Sequence, residues 1–278
     1  MFDSECEQLE GLAEERAKLG QNEQAMDYFS RAAFCWRRWE QFSKAADAYE
    51  RSYEHGMLAH SYAKAAETML EAAGCWIRQG QHEKFEIDCQ IASEAYISAA
   101  EAENNPKHYV EGAFCAIMGG DLEITKQLIH AAAETTKGQS KELINLALML
   151  SEYQFGDADR YIEAALTRVL PREGVDKTRN WFLMIFAGFV RTSLESEVAL
   201  TIKSLELSTG LEARRVRMLI RKGIEDGLIP AYLDDDSDEL VVDTDRTDIQ
   251  TLSGRKRPIM GSELDDPGAW DVDFDDEK

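Results

Sequence analysis

The chain has 278 residues, of which 44% are hydrophobic, and its formal net charge is −22 at pH 7. This apolar content predicts a folded core, whereas the negative charge argues against wholesale binding of nucleic acid or anionic lipid, because both require a basic surface. The charge is uneven, since residues 234–278 hold 16 acidic and 5 basic side chains, which is half of the net total.

One motif of the N-terminal region occurs three times at a constant interval. It reads Ala-Ala-Phe-Cys-Trp at 32–36, Ala-Ala-Gly-Cys-Trp at 72–76 and Gly-Ala-Phe-Cys-Ala at 112–116. Self-similarity with a period of about 20–50 residues is typical of stacked helical repeats. We therefore expect the cysteine of each copy to be buried in the same packing environment, at Cys35, Cys75 and Cys115.

Helices are predicted throughout this region, because alanine is frequent and no proline precedes Pro106. Short polar breaks separate segments whose apolar residues lie at i, i+3 and i+4, which is the spacing of one helix face. After a first helix that ends near Gly20, we expect helices at Asn22–Trp36, Ser43–His55, Tyr62–Trp76, Phe85–Glu103, Lys107–Met118, Leu122–Thr136, Lys141–Tyr153 and Ala158–Leu170.

The pattern resembles two known families. Leu19-Gly20 followed by Ala25 and Ala32 resembles the tetratricopeptide repeat (TPR). The long period and alanine-rich segments such as Tyr62–Ala66 are similar to the soluble NSF attachment protein (SNAP) family, over roughly residues 1–170. The resemblance implies a right-handed α-solenoid of antiparallel helix pairs. It also implies an adaptor, because members of that family clasp the helical bundles of membrane fusion and recruit a hexameric ATPase.

A connecting helix is predicted after the repeats. Pro171–Gly174 ends the array, and the apolar run Trp181–Val190 follows. That run has ten residues, whereas a membrane span takes about 20. We therefore expect no transmembrane segment, and we assign residues 1–172 to the repeat array and residues 173–192 to a buried connecting helix.

Residues 193–242 are predicted to form a small winged helix-turn-helix domain. The Thr-Gly turn at Ser208–Leu211 precedes a helix over Glu212–Gly227. Two short strands then flank the polar tip Asp234–Glu239 and form the wing. The phrase at Gly227–Asp234 resembles the PCI modules of the proteasome lid, the signalosome and initiation-factor complexes, which assemble large particles.

The second helix of this domain carries a candidate partner-binding surface, because its apolar stripe leaves five cations on the opposite, outward face: Arg214, Arg215, Arg217, Arg221 and Lys222. Three interpretations are open. The helix enters the major groove of DNA, it binds an acidic protein, or it is a solvated face or docks on the acidic array or tail. We expect an acidic protein partner, because the acidic wing tip would lie where phosphates run.

The last segment, residues 243–278, is predicted to be a disordered acidic tail, because it lacks apolar periodicity. Within it, Trp270 and Phe274 stand four positions apart among acidic residues. That spacing suits a turn of helix that docks into a partner's groove, so both residues are assigned as partner-binding. The alternative is a solubilising tail with incidental aromatic residues.

The cysteines predict a reducing compartment. The chain has five, and it shows neither a Cys-x-x-Cys pair nor an N-terminal stretch that resembles a secretory signal. Free thiols without such a signal are typical of intracellular proteins. We therefore expect a cytoplasmic protein with free thiols at Cys6, Cys35, Cys75, Cys89 and Cys115.

The sequence contains no recognisable catalytic set. Gly119-Gly120-Asp121 lacks the frame of a phosphate-binding loop, and metal-site spacing is missing from the five histidines, His55, His60, His82, His108 and His130. We predict a non-enzyme with no catalytic, metal-binding or cofactor-binding residues and no cofactor.

Together these patterns predict an all-α adaptor or scaffold that binds protein partners with helical or acidic surfaces rather than nucleic acid. SNAP-like handling of intracellular membrane trafficking, or of a larger assembly, is the more specific version, with at most peripheral membrane association through partners. Two alternatives stay open. One is a PCI-type structural subunit of a multiprotein particle, and the other is a winged-helix regulator that binds DNA.

Overall fold

The computed structural model describes residues 3–135, 139–196 and 199–242. These residues are mostly helical, as the sequence predicts, and each of the first seven helices packs against the next one along the chain. The helices are α1 (Asp3–Lys18), α2 (Asn22–Arg38), α3 (Phe42–Leu58), α4 (Tyr62–Arg78), α5 (His82–Glu103), α6 (Lys107–Met118), α7 (Leu122–Thr135), α8 (Gln139–Ser151), α9 (Phe155–Tyr161), α10 (Thr167–Val169), α11 (Arg172–Ser196), α12 (Ile202–Thr209) and α13 (Ala213–Glu225).

The first helices end in the same backbone motif at a regular interval. The chain reverses at residues with positive φ, and the next backbone N–H then bonds back into the helix that has just ended. Gln41 donates to the carbonyl of Trp36 at 3.0 Å, and Gln81 donates to that of Trp76 at 3.0 Å. Such bonds satisfy carbonyl groups that a helix end leaves unpaired. The residues with positive φ are Gly20, Glu40, His60 and Gly80.

The repeat period predicted from sequence therefore corresponds to two helices. Its clearest mark is a buried tryptophan that bonds to the preceding odd-numbered helix. Trp36 Nε1 donates to Glu10 Oε1 at 2.9 Å, and Trp76 Nε1 donates to Glu50 Oε1 at 2.8 Å. A buried indole N–H needs such a partner, so the glutamate fixes the height at which neighbouring helices pack.

A lysine covers each of these tryptophans from the following helix. Lys44 Nζ lies 4.1 Å from the ring centroid of Trp36, and Lys84 Nζ lies 3.6 Å from that of Trp76. Both distances are within the range of a cation–π interaction. The third copy lacks the arrangement, because the corresponding positions hold Gln90, Ala116 and Ile124.

The cysteines differ from the sequence prediction at the N-terminal end. Cys6 and Cys35 form a disulfide with a Cα–Cα distance of 5.5 Å. The prediction of free thiols is therefore wrong for these two, and Cys35 is only half-buried. Antiparallel packing brings the start of α1 beside the end of α2, a proximity that sequence separation hides. Cys75, Cys89 and Cys115 are free and buried.

Regularity is lost after α4. Helix α5 has 22 residues and ends at Asn104, which adopts the left-handed conformation. Helix α6 is buried along almost its whole length, because α5, α7, α8 and α11 pack around it. The helix predicted at Ala158–Leu170 instead begins at Phe155, contains a π-helical turn at Ile162–Leu166 and ends with α10.

The predicted connecting helix is α11, which contains the apolar run Trp181–Val190 in buried surroundings. Phe182 and Phe186 meet the ring of Phe155 edge-on, at centroid distances of 5.8 and 5.5 Å. Trp181 stacks on Phe114 of α6 at 4.2 Å. Among the described helices, none is long and apolar enough to cross a membrane.

A small sheet follows α11 and carries α12 and α13. Its strands are antiparallel in the order β1-β3-β2, where β1 is Ala199–Thr201, β2 is Ala231–Asp234 and β3 is Glu239–Val242. The two strands of the expected wing are β2 and β3, whereas β1 was not predicted. It is very short and pairs with a strand far along the chain, so no local pattern marks it.

The C-terminal unit shares one core with the helical repeats, since a single cluster of buried side chains runs from Cys6 to Leu240. Arg191 of α11 lies in the junction with 7% exposure. Its Nη1 donates to the carbonyl of Leu228 at 3.1 Å, and its Nη2 donates to Glu86 of α5 at 3.3 Å. The division into separate domains stays a prediction.

Candidate functional site

A groove of about 1120 Å³ lies between α13 and β2. Helix α13 puts Val216 and Ile220 into the core, which leaves the opposite side of the helix to face the groove. Met218 from α13 and Tyr232 from β2 are 49% and 53% exposed. Together with half-buried Leu233 they make an apolar floor that solvent reaches.

Two of the predicted cations on the rim are paired with the wing tip. Arg217 donates to both carboxylate oxygens of Asp238, at 2.9 and 2.5 Å, and Arg221 donates to Asp235 at 2.7 Å. The hydrogen bond from Arg217 lowers the pKa of Asp238 below its ordinary value. Two cations of the basic helix are therefore neutralised by two carboxylates of the acidic tip within the molecule.

The other three cations have different surroundings. Lys222 forms ion pairs with two residues at the C-terminal end of its own helix, Asp226 at 2.9 Å and Glu225 at 3.3 Å. Arg214 forms no ion pair with any residue that the structure describes. Arg215 also lines the groove, and its Nη1 lies 3.8 Å from the Met218 sulfur on the groove floor.

Arg215 also binds the repeat array. Its Nε and Nη2 donate to Asp159 of α9, at 3.0 and 2.6 Å. Arg215 thus lies at the groove with the other four cations while it pairs with the array, so the interpretation that this helix docks on the array holds for this one residue. The contact lies beside Gly156, where a Cβ atom would come within 2.3 Å of the Gly210 carbonyl oxygen.

Trp270 and Phe274, the other predicted partner-binding residues, lie outside the described residues. Their assignment stays a prediction. The observed groove thus combines an apolar floor, a largely neutralised rim and an arginine without an ion pair among the described residues, which suits a protein segment more than a nucleic-acid backbone.

Sequence reasoning missed a second groove, of about 800 Å³, between α2 and α4. Phe34 projects into it with 49% exposure, although Ala33 and Trp36 of the same motif are buried. Arg37 pairs with Glu71 across the groove, and its guanidinium carbon lies 5.2 Å from the ring centroid of Phe34. The available signal was an aromatic residue outside the apolar stripe of α2.

No protein-family model matches the chain, and a search of curated proteins finds no match. The resemblances to TPR, SNAP and PCI proteins therefore stay predictions.

The titratable side chains include one small cluster, in which His108 bonds to Glu103 at 2.9 Å and to Glu111 at 3.1 Å. Within the described ranges, no three His, Cys, Asp or Glu side chains converge as a metal site would require. Burial raises the pKa of the Cys75 thiol to about 11 and also raises the pKa values of Cys89 and Cys115. Each thiol is thus held in the protonated form, which is a poor nucleophile.

Proposed function

We propose that this protein is a non-enzymatic adaptor or scaffold, in which an α-solenoid carries a winged-helix unit that binds a protein partner. The observation that carries the proposal is the groove between α13 and β2. Met218 and Tyr232 are half-exposed at its floor, and Arg214 stands at its rim without an ion pair among the described residues. Partially exposed aromatic and methionine side chains beside arginine are typical of protein interfaces.

The pairing of the rim favours a protein over DNA. DNA binding gains most of its affinity when free cations replace counterions on phosphates. Arg217 and Arg221 are already bonded to Asp238 and Asp235, so phosphates would have to displace carboxylates. An acidic and apolar protein segment can instead bury the floor and use Arg214 as its charged contact.

Two finer versions follow from the sequence. SNAP-like work in membrane trafficking depends on the TPR-like spacing at Leu19-Gly20 and the long repeat period. A PCI-type subunit of a larger particle is favoured by the continuous core and by Arg191, which ties α11 to both α5 and Leu228. The cytoplasmic location stays a prediction, and its argument from free thiols fails for Cys6 and Cys35.

The experiment places a photo-crosslinking phenylalanine analogue at Tyr232 of the full chain and identifies the proteins that it captures. The same capture is repeated with Met218→Glu, which puts a charge on the groove floor. Leu207→Glu is the matched control, because Leu207 lies in the same unit with 75% exposure and does not line the groove. We expect a defined partner that Met218→Glu loses and Leu207→Glu keeps.

A parallel titration with random duplex DNA tests the DNA-binding alternative. We expect no submicromolar binding at about 150 mM salt. Submicromolar binding that is lost with Arg214→Glu would overturn the proposal in favour of a DNA-binding regulator. Capture that is equal in Met218→Glu and Leu207→Glu would overturn the assignment of the groove.

A further inference from the structure

The repeat makes three positions on α2, α4 and α6 equivalent. Phe34, Gly74 and Phe114 occupy the same place in the three copies, and each precedes a cysteine of the repeated motif. Their helices end in the same backbone hydrogen bond, from Gln41 to Trp36 in the first copy and from Asp121 to Ala116 in the third. The three copies can therefore be compared by how far other parts of the protein cover this position in each.

In the third copy this surface is covered by α11. Trp181 stacks on Phe114 with a centroid distance of 4.2 Å and an angle of 15° between the rings. One helical turn earlier, Lys177 Nζ bonds to Glu111 Oε1 at 3.2 Å and lies 4.7 Å from the Trp181 ring centroid. The protein thus shows how a helix seats on this face, with an aromatic ring on the phenylalanine and a lysine on the glutamate.

The same face is open in the first two copies. Phe34, the counterpart of Phe114, is 49% exposed in the α2–α4 groove, whereas Phe114 is fully buried. Glu71 of α4, the second-copy counterpart of Glu111, lines that groove opposite Phe34, whereas the first-copy counterpart is Arg31, which lines it as well. At Gly74, between the two phenylalanine positions, a Cβ atom would meet no other atom within 4 Å. The open groove therefore holds both kinds of group that α11 uses, but the phenylalanine comes from α2 and the glutamate from α4, so a helix that uses both must lie across the two.

We propose that the α2–α4 groove binds an amphipathic helix of a protein partner, which presents an aromatic residue one turn after a basic residue, as α11 does. The aromatic ring stacks on Phe34 and uses the space above Gly74. The basic residue replaces Arg37 or joins it at Glu71, where it finds an acidic partner. This inference rests on the proposed adaptor function and names a second surface for it, separate from the α13–β2 groove.

The probe is a labelled peptide of this chain's own residues 172–186, which contain Lys177 and Trp181. Positions 176 and 180 are exposed in α11, so a side-chain crosslink between them keeps the peptide helical without touching the docking face. Its binding to the full chain is measured by fluorescence anisotropy. Two control peptides carry Trp181→Ala or Lys177→Glu.

Two variants of the protein block the groove in different ways. Phe34→Asp removes the ring on which the peptide stacks, and Gly74→Trp fills the space beside it. Gly11→Trp is the matched control, because Gly11 also lies within a helix and a Cβ atom there meets nothing within 4 Å. Circular dichroism and thermal melting verify that each variant remains folded.

We expect saturable binding that Phe34→Asp and Gly74→Trp each weaken by about tenfold or more, the size of effect typical of a central interface residue. Gly11→Trp should bind like the unaltered chain, and the Trp181→Ala peptide should not bind. Binding that none of the groove variants changes would overturn the inference, since the peptide would then be exchanging with α11.

Two further outcomes are also decisive. Absence of peptide binding at about 1 mM overturns the inference, and the proposed adaptor function survives if capture at Tyr232 still depends on Met218. Self-association of the full chain that Gly74→Trp abolishes would make a second copy the occupant and would overturn the assignment to a partner helix.

Discussion

Two successive copies of the repeat pack through the same tryptophan contact but differ in their disulfide bonding and in the polar side chains buried nearby. Both contain the bonded tryptophan and its covering lysine, Trp36 with Lys44 and Trp76 with Lys84. The first copy adds the disulfide between Cys6 and Cys35. The second has Ala46 at the position of Cys6, so Cys75 stays free.

The helix after the second tryptophan, α5, also contains a buried carboxyl group that α3, the helix after the first tryptophan, lacks. Asp88 is 6% exposed, and its Oδ2 atom has no hydrogen-bond partner among the described residues. The equivalent residue of α3 is Ala48. The comparison teaches that the tryptophan contact sets the helix spacing, while the residues behind it determine how stable each copy is.

The largest effect is expected from removing the shared contact. Trp76→Ala should lower the free energy of unfolding by about 3–5 kcal/mol, because it leaves a cavity and an unpaired Glu50. Urea denaturation measures the loss. Trp76→Phe is the control that keeps much of the ring volume and should lose much less. A loss below about 1 kcal/mol for Trp76→Ala would show that the contact does not set the packing.

The disulfide should give the next largest difference between the copies. Under oxidising conditions, Cys35→Ala should cost about 2–4 kcal/mol, because the crosslink restricts the unfolded chain. The matched variant in the second copy, Cys75→Ala, loses only packing and should cost less. Denaturation with a thiol reductant should remove most of the difference between Cys35→Ala and the unaltered chain. If reductant leaves that difference intact, the crosslink contributes nothing.

A pH-dependent difference is expected from Asp88. Burial, followed by the charge of Glu50, raises its pKa to about 7 despite the opposing effect of Lys84. Between about pH 4 and pH 7 the folded state therefore keeps a proton that the unfolded chain releases. The stability of the folded state is thus highest below about pH 4 and falls as the pH rises to about 7. Asp88→Ala, which copies Ala48, should raise the free energy of unfolding by roughly 1–3 kcal/mol at pH 8.

The same variant should have a small effect near pH 3, where Asp88 is protonated in both the folded and the unfolded state. His82, whose pKa burial lowers to about 4, is present in both proteins and cancels from the difference. Denaturation at the two pH values measures the difference in free energy of unfolding between Asp88→Ala and the unaltered chain. An Asp88→Ala effect that does not vary with pH would mean that the carboxyl group is not the cause.

The smallest difference concerns the lysines above the tryptophans. Lys84→Met and Lys44→Met should each cost about 0.5–1 kcal/mol, since methionine keeps the contact area and removes the charge. The shorter distance at Trp76, 3.6 Å against 4.1 Å, predicts the larger loss for Lys84→Met. Paired denaturation curves at low and high salt measure both. Equal losses in the two copies would contradict this ranking.

Local patterns allowed the helices to be predicted, but contacts between distant residues were missed. The breaks near Gly20 and Gly80 and the period of the repeat were readable because turn residues and small residues recur in the sequence. The disulfide at Cys6 and the strand β1 depend on residues that meet only after folding. Periodicity alone could not find them.

In the candidate site, too, local spacing predicted some features and contacts between distant residues determined the others. Amphipathic spacing correctly placed Val216 and Ile220 in the core of the C-terminal unit. The direction of Arg215 toward Asp159, and the pairing of Arg217 with Asp238, depend on how α13 sits against α9 and the wing. Helix periodicity carries no information about those neighbours.

The regular turn of α1 to α4 has a consequence for how this chain could change in length. Every second helix presents the same face of the array. Insertion of a helix pair would therefore extend the array unchanged, whereas insertion of a single helix would reverse the faces of all helices that follow it. The junction restricts where this is tolerated, because Gly227 lies against the end of α4 and Arg191 binds Glu86 of α5. A duplicated helix pair would therefore be tolerated only on the N-terminal side of α4. There it would lengthen the array and leave the C-terminal unit in place.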